Sequence, residues 1–295
     1  MNKILVIGSI SVDYTMYTKK LPSKGTTSFG ESFSSAVGGK GLNQALAIHL
    51  LDGNVSFLGA VSDDENADKI KKLIADNHLD AHLLIKKEQT GVASITVEIP
   101  SGENRILIIP GANLAINTHD IDNNIDLFND VKFLVMQLET PIDVVEYVLK
   151  IAKQKGIITI LNPAPYHALP DSIYPYIDYF IPNEHELEGF TNASKMLIRD
   201  KASLLLEKGC ENVLVTLGEN GSILVNKNNF IRVNAIKVNA IDTVGAGDSY
   251  IGAFVTALAS GKDLKECMEF ATKCSAITVT RKGASSSLPK LSEIK

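Results

Sequence analysis

The chain has 295 residues, 45% hydrophobic and 21% charged, which is enough apolar material for one substantial core and carries no compositional sign of disorder. Its 29 Lys and Arg against 34 Asp and Glu give a net charge of −5, which argues against a nucleic-acid partner or an anionic membrane surface. Cys210, Cys267 and Cys274 are odd in number and lack CxxC spacing, so neither a disulfide framework nor a zinc site is encoded.

The first apolar run, Lys3–Gly8, reads as a strand and is too short, and too soon followed by Asp13, for a signal peptide. No run approaches the roughly 20 apolar residues of a membrane span, so a cytoplasmic protein is expected. Between residues 13 and 37, Pro22 and Gly25 punctuate an amphipathic, strand-like segment. A helix over Gly41–Leu51 then leads to a strand over Val55–Ala60 and a helix over Glu65–Asn77. Residues 93–109 form a second amphipathic segment, with Ser101–Asn104 as its hairpin turn.

Strands over Val131–Met136, Ile158–Leu161, Tyr179–Ile181 and Val213–Thr216 follow, separated by helices over Ile142–Lys155 and Met196–Lys208. The chain closes with a strand-like Ile236–Asn239, helices over Gly247–Ala259 and Leu264–Cys274, and a strand-like Ile277–Arg281. This alternation predicts an α/β fold built on a mainly parallel sheet, as a single domain over 1–295. The two amphipathic segments either form a small sheet that acts as a lid over a cleft or extend the edge of the main sheet.

Chemistry concentrates in Ile241–Tyr250, IleAspThrValGlyAlaGlyAspSerTyr, at the start of an apolar helix. Gly245 and Gly247 permit a tight turn, and the amides of Gly245, Ala246 and Gly247 at a helix N-terminus suit an anion. Asp248 would repel a phosphate but suits an attacking hydroxyl; complementing the helix dipole is its plainer role. GlyGlyLysGlyLeuAsn, Gly38–Asn43, is neither a Walker A loop nor a GxGxxG fingerprint. Its amides, Lys40 and Asn43 suit a polyhydroxylated ligand, as a simple glycine-rich turn would also explain them. Asp13, Glu139, Asn183 and Glu186 each follow a strand on the edge where open α/β sheets bind ligands, and as individuals read equally as caps or surface carboxylates.

His78 and His82 stand four apart without the Glu of an HExxH motif, and no Ser sits in GxSxG, so metalloprotease and hydrolase readings lack support.

These stretches, in this order and over essentially the whole chain, resemble the ribokinase-like sugar kinases, the phosphofructokinase-B family. The resemblance is carried by GlyGlyLysGlyLeuAsnGln, MetGlnLeuGlu at 136–139, AsnGluHisGlu from Asn183, ThrLeuGlyGluAsnGly at 216–221 and AspThrValGlyAlaGlyAsp. ProGlyAlaAsn at 110–113, AsnProAlaPro at 162–165 and ThrArgLysGlyAla at 280–284 point to the ribokinase branch.

The resemblance implies a three-layer α/β/α fold with a small β-sheet lid, and ATP-dependent phosphorylation of a pentose hydroxymethyl group, D-ribose to ribose 5-phosphate. It makes Asp248 the general base and Gly245, Ala246 and Gly247 the anion hole. Ser11, Asp13, Gly38, Gly39, Lys40, Asn43 and Glu139 would meet the sugar. Asn183 and Glu186 would place Mg²⁺ and phosphates, and Thr216, Gly218, Gly221 and Gly247 would line the nucleotide site. A monovalent-cation site is implied at Asp242, the carbonyls near Val244, Thr278, Arg281 and Gly283, and the Ser287 hydroxyl, so activation by K⁺ is expected. Dimerisation through the lid is also implied.

One departure bears on the substrate. The family carries Asn two residues before the sugar-binding Asp, whereas this chain has Ser11, whose shorter reach leaves one hydroxyl unread or bridged by water. 2-Deoxyribose, another sugar, or a nucleoside such as pseudouridine therefore stand as alternatives, with a non-catalytic sugar sensor as a more distant one.

Overall fold

The computed structural model describes residues 1–101 and 103–294. Along the chain run β1 (Lys3–Ile7), β2 (Ser11–Thr18), β3 (Gly30–Gly38), α1 (Lys40–Leu50), β4 (Val55–Val61), α2 (Glu65–Asn77), β5 (Asp80–Ile85), β6 (Val92–Glu98) and β7 (Asn104–Ile109). Then come α3 (Thr118–Asp122), β8 (Val131–Met136), α4 (Ile142–Gln154), β9 (Ile158–Leu161), β10 (Tyr179–Phe180), α5 (Glu184–Thr191) and α6 (Ile198–Glu207). The chain ends with β11 (Asn212–Thr216), β12 (Ser222–Asn226), β13 (Phe230–Val233), α7 (Ala246–Ala259) and α8 (Leu264–Thr278).

Nine strands form one sheet in the order β13-β12-β11-β10-β9-β8-β1-β4-β5, parallel except for the antiparallel pairs β11–β12 and β12–β13. The period of two along a strand sorts its side chains to the two faces. In β1, Ile4 and Val6 pack with α1, α2, α7 and α8, while Leu5 and Ile7 pack with α3, α4, α5 and α6. Both faces are therefore covered, which is why the central strands read as unbroken apolar runs. Side-chain caps start four of the helices: Asp64 for α2, Asn117 for α3, Asn183 for α5 and Asp263 for α8 each accept a first-turn amide.

β3-β2-β6-β7 form a separate four-stranded sheet in which β2 and β6 run parallel. The two amphipathic segments thus build their own sheet rather than extending the main one. β7 is exposed along its whole length, with Ile106 55% and Leu107 69% accessible. Ser101–Asn104, the expected turn, joins β6 to β7 and includes Gly102, which lies outside the described residues.

Two strand assignments do not hold. Ile277–Arg281 is not a strand: α8 continues to Thr278, whose hydroxyl bonds the Cys274 carbonyl one turn back and the Ser249 hydroxyl on α7. Tertiary packing against α7 outweighs the β-propensity of Ile, Thr and Val. Ile236–Asn239 has no regular structure. Among the described residues no helix is long and apolar enough to cross a membrane.

Candidate active site

The site lies at the C-terminal edge of the main sheet, where α1 and α7 start side by side. Their axes approach closely because Gly252 of α7 faces Ala47 of α1; a Cβ at Gly252 would sit 2.5 Å from that of Ala47. Gly39 precedes α1 with φ +93°, and a Cβ there would meet Ile10 Cα at 2.6 Å, so this turn demands glycine twice over. Gly245 precedes α7 with φ +78°.

In the first turn of α7, the Ala246 amide bonds the Thr243 carbonyl at 3.2 Å, whereas the amides of Gly247 and Asp248 have no acceptor among the described residues. A Cβ on Gly247 would project into open space, so a ligand can reach this helix end. The Asp248 carboxylate is 8% exposed. Its Oδ2 accepts from Asn43 Nδ2 at 3.0 Å and its Oδ1 from Gln44 Nε2 at 3.0 Å. Burial pushes its pKa above the ordinary value of 3.8, against the opposing pull of the Lys40 charge and the Gln44 and Asn43 hydrogen bonds.

A cavity of about 620 Å³ opens before Asp248. Ser11, Asp13, Gly39, Lys40, Asn43 and Glu139 line its floor, and Ala93, Ile95, Ile106 and Ile108 of the small sheet line the opposite wall. Glu139 Oε2 accepts the Lys40 amide at 3.2 Å and the Ser9 hydroxyl, tying the end of β8 to the start of α1. Ser11 donates to Asp13 Oδ1 at 2.8 Å. Gly38 makes room for that carboxylate, since a Cβ there would lie 2.4 Å from Asp13 Oδ2.

Burial raises the Asp13 pKa against the Ser11 bond, and the charges of Glu139 and Asp248 raise it further. For Lys40, burial favours the neutral amine, but Asp248, Glu139, Glu186 and Asp13 outweigh it and hold the ammonium charged. Asn43 Oδ1 and Thr140 Oγ1 are buried without a partner. Three carboxylates, one ammonium and an unsatisfied amide oxygen can together meet several hydroxyls.

The residues expected to meet nucleotide and Mg²⁺ lie outside the lining of this cavity, on the adjoining strand ends. Asn183 and Glu186 form a capping box: Asn183 Oδ1 accepts the Glu186 amide and Glu186 Oε2 accepts the Asn183 amide, each at 2.8 Å. Burial raises the pKa of Glu186, opposed by the Asn183 amide and Lys40. Asn183 pairs with Thr216 at the end of β11. Gly218 and Gly221 shape the β11–β12 turn with φ +53° and +88°; a Cβ at Gly221 would lie 2.0 Å from the Val233 carbonyl, which is a structural demand.

Asp242 links two loops, accepting the Val244 amide at 3.0 Å and the Gly283 amide at 2.9 Å. The Thr278 carbonyl already accepts the Arg281 amide, and the buried Ser287 hydroxyl donates to Ala284 O at 2.7 Å, leaving its lone pairs free. The donor set here is carboxylate, carbonyl and hydroxyl oxygen, which fits a hard monovalent cation. Among the described residues no cluster of three or more His, Cys, Asp or Glu side chains could hold a metal.

Sequence reasoning did not single out Gln44, Gln137, Asn162 or Ser9, although all four are buried at the site. Neutral amides carry no charge pattern. For Gln44, Gln137 and Asn162 the signal was their presence inside GlyGlyLysGlyLeuAsnGln, MetGlnLeuGlu and AsnProAlaPro; Ser9 lies in none of these motifs.

A family model described as pfkB family carbohydrate kinase matches residues 1–291. The chain is 42% identical to a ribokinase of Schizosaccharomyces pombe, covering 100% of this chain and 97% of that one. It is 37% identical to a deoxyribokinase of Salmonella typhi, covering 98% and 96%. The structure of Arabidopsis thaliana ribokinase complexed with ribose and ATP superposes with a TM-score of 0.91 at 27% identity, covering 99% and 97%.

Proposed function

The chain belongs to the pfkB family of carbohydrate kinases and is an ATP-dependent sugar kinase, and we propose that its reaction converts D-ribose and ATP to ribose 5-phosphate and ADP. The observation that carries this reading is the buried Asp248 carboxylate, held by Asn43 and Gln44 at a helix N-terminus and facing a polar-floored cavity. The full-length similarity to ribokinases selects the sugar.

The hydroxymethyl oxygen of the sugar attacks the γ-phosphorus of ATP, the bond to the bridging oxygen breaks, and ADP leaves with that electron pair. Asp248 orients the hydroxyl and accepts its proton. The transition state is loose, so the proton moves late and a carboxylate suffices as base. The free amides of Gly247 and Asp248, with Gly245 and Ala246 shaping the turn, meet charge on the equatorial oxygens. Asp13, Lys40, Asn43 and Glu139 hold the ring hydroxyls, with Ser11, Gly38 and Gly39 forming the wall behind them.

Asn183 and Glu186 would meet the phosphates and Mg²⁺; the capping box leaves Glu186 one uncommitted oxygen, a donor of the type Mg²⁺ and its waters prefer. Mg²⁺, when bound, neutralises phosphate charge. Thr216, Gly218 and Gly221 border the nucleotide. Asp242, carbonyls near Val244, Thr278, Arg281 and Gly283, and the Ser287 hydroxyl would hold K⁺, which would supply positive charge to the loops that carry the anion hole.

The small sheet, β2 with β3, β6 and β7, closes over the sugar as a lid and excludes water, which keeps ATPase activity low without sugar. Leu107, exposed on the outer strand and alternating with the cavity-lining Ile106 and Ile108, supports a homodimer formed through the lid. The three unpaired cysteines suit the reducing cytoplasm.

A second reading, 2-deoxyribose, rests on Ser11, whose hydroxyl is committed to Asp13. ATP consumption measured with Mg²⁺ against D-ribose, 2-deoxyribose, fructose, adenosine and pseudouridine, each with and without K⁺, tests both. Turnover highest on ribose supports the proposal, turnover highest on 2-deoxyribose supports the second reading, and silence across the panel overturns both.

A further inference from the structure

Behind Asp248 lies a chain of neutral amides to which no role has been given. Gln44 is fully buried in α1, and its amide nitrogen lies 3.0 Å from Asp248 Oδ1 and 3.1 Å from Asn162 Oδ1. Its carbonyl oxygen accepts from Gln137 Nε2 at 2.7 Å. Asn162 in turn donates to the Ile181 carbonyl at 3.0 Å. Gly8 leaves the space for Gln137, because a Cβ there would lie 2.0 Å from Gln137 Oε1.

A carboxamide has one donating and one accepting end. Turning the Gln44 amide over would aim its oxygen at two other oxygens and its NH₂ at the Gln137 NH₂. The network therefore has one polarity, and it ends on Asp248. A buried amide is costly unless it is hydrogen-bonded; Gln137 Oε1 is buried without a partner, so the polarity is set at the Asp248 and Asn162 end and Gln137 contributes only its donated bond to Gln44. With Oδ1 held by Gln44 and Oδ2 by Asn43, the plane of the Asp248 carboxylate is fixed where Asp248 lines the cavity.

We infer that Gln44 is a positioning residue for phosphoryl transfer: oriented by Gln137 and anchored to Asn162, its amide fixes the rotation of the Asp248 carboxylate toward the sugar hydroxyl. This rests on Asp248 being the base. The charged groups facing Asp248 are Lys40 from α1, Asp13 from β2, Glu139 after β8 and Glu186 from α5. None of them substitutes for the geometry that Gln44 imposes.

The test compares pH profiles of kcat, with KM for ribose and ATP, for Gln44→Met, Gln137→Met and Asp248→Asn in the full-length enzyme. Gln44→Met should lower kcat about ten- to a hundredfold with KM values within about threefold, and should move the acid limb to higher pH as a donor to the carboxylate is lost. Gln137→Met keeps the Gln44 contact but frees the amide to turn, and should give a smaller change in the same direction. If Gln44→Met keeps the parent acid limb and loses kcat only in proportion to folded, nucleotide-binding protein, Gln44 is a packing residue and the inference is overturned. If Gln44→Met does not fold, the Gln137→Met limb decides, and an unmoved limb overturns the inference. Near-parental turnover in Asp248→Asn would instead sink the base assignment itself.

Discussion

The side-chain amide of Asn43 donates to Asp248 Oδ2 at 3.0 Å, joining the first turns of α1 and α7 across 205 residues of chain. The contact brings the sugar-facing glycine turn and the anion-facing glycine turn to one point. Replacing Asp248 by Asn should therefore reduce kcat by roughly a thousandfold or more, the range expected for a general base, while ATP affinity by calorimetry stays within about threefold.

The raised pKa of Asp248 sets the acid limb of the reaction. A base whose pKa lies above the ordinary carboxylate value of 3.8 loses its ionised form at a higher pH as the solution is acidified. The Lys40 charge opposes that rise, so Lys40→Met should move the acid limb of kcat to still higher pH, in addition to weakening ribose binding. The same sign applies to folding: ionisation of buried Asp13 and Asp248 opposes the native state, and this cost falls as pH drops through their raised pKa values. An acid limb unmoved in Lys40→Met would show that the ammonium does not reach the base.

Asp242 bridges Val244 and Gly283, and its removal should separate the two loops that the proposed K⁺ site needs. Asp242→Ala should lose K⁺ stimulation of turnover, leaving activity about tenfold below the parent with K⁺ and near the parent without it. Equal stimulation in the variant would place the cation elsewhere.

Leu107 is 69% exposed on the outer strand of the small sheet. If two copies meet there, Leu107→Asp should convert the dimer to a monomer in sedimentation velocity, since a buried unpaired carboxylate is costly. A monomeric parent protein would refute the lid-mediated dimer outright.

Gly252 sets the approach of α7 to α1. Gly252→Val must displace one helix from the other, and the overpacking should cost about 1–3 kcal/mol in denaturant unfolding, with kcat falling because the Asn43–Asp248 contact depends on that spacing. Parent stability in the variant would show that the helix pair can adjust.

Much of the main sheet is legible because burial on both faces forces long apolar runs: Val55–Ala60 and Val131–Met136 were readable for that reason. β5 and β13 were not, since they mix polar and apolar residues at the sheet edges, and β12 was not because its buried apolar run is only Ile223–Val225, between Ser222 and Asn226. The parallel pairing of β2 with β6 joins segments about 80 residues apart, and no local pattern encodes it. At the site, the charged and glycine positions stood out, while Gln44, Gln137 and Asn162 did not, because a buried amide is recognisable only from the partners that surround it.

ATP-dependent transfer to the hydroxymethyl oxygen of ribose is read from ³¹P and ¹³C NMR of the product formed from D-ribose, ATP and Mg²⁺. One phosphomonoester is expected, with phosphorus coupled to C5 and its two protons, and an equal amount of ADP. Phosphate on the anomeric carbon, or ADP formed without a phosphorylated sugar, would contradict transfer to that oxygen.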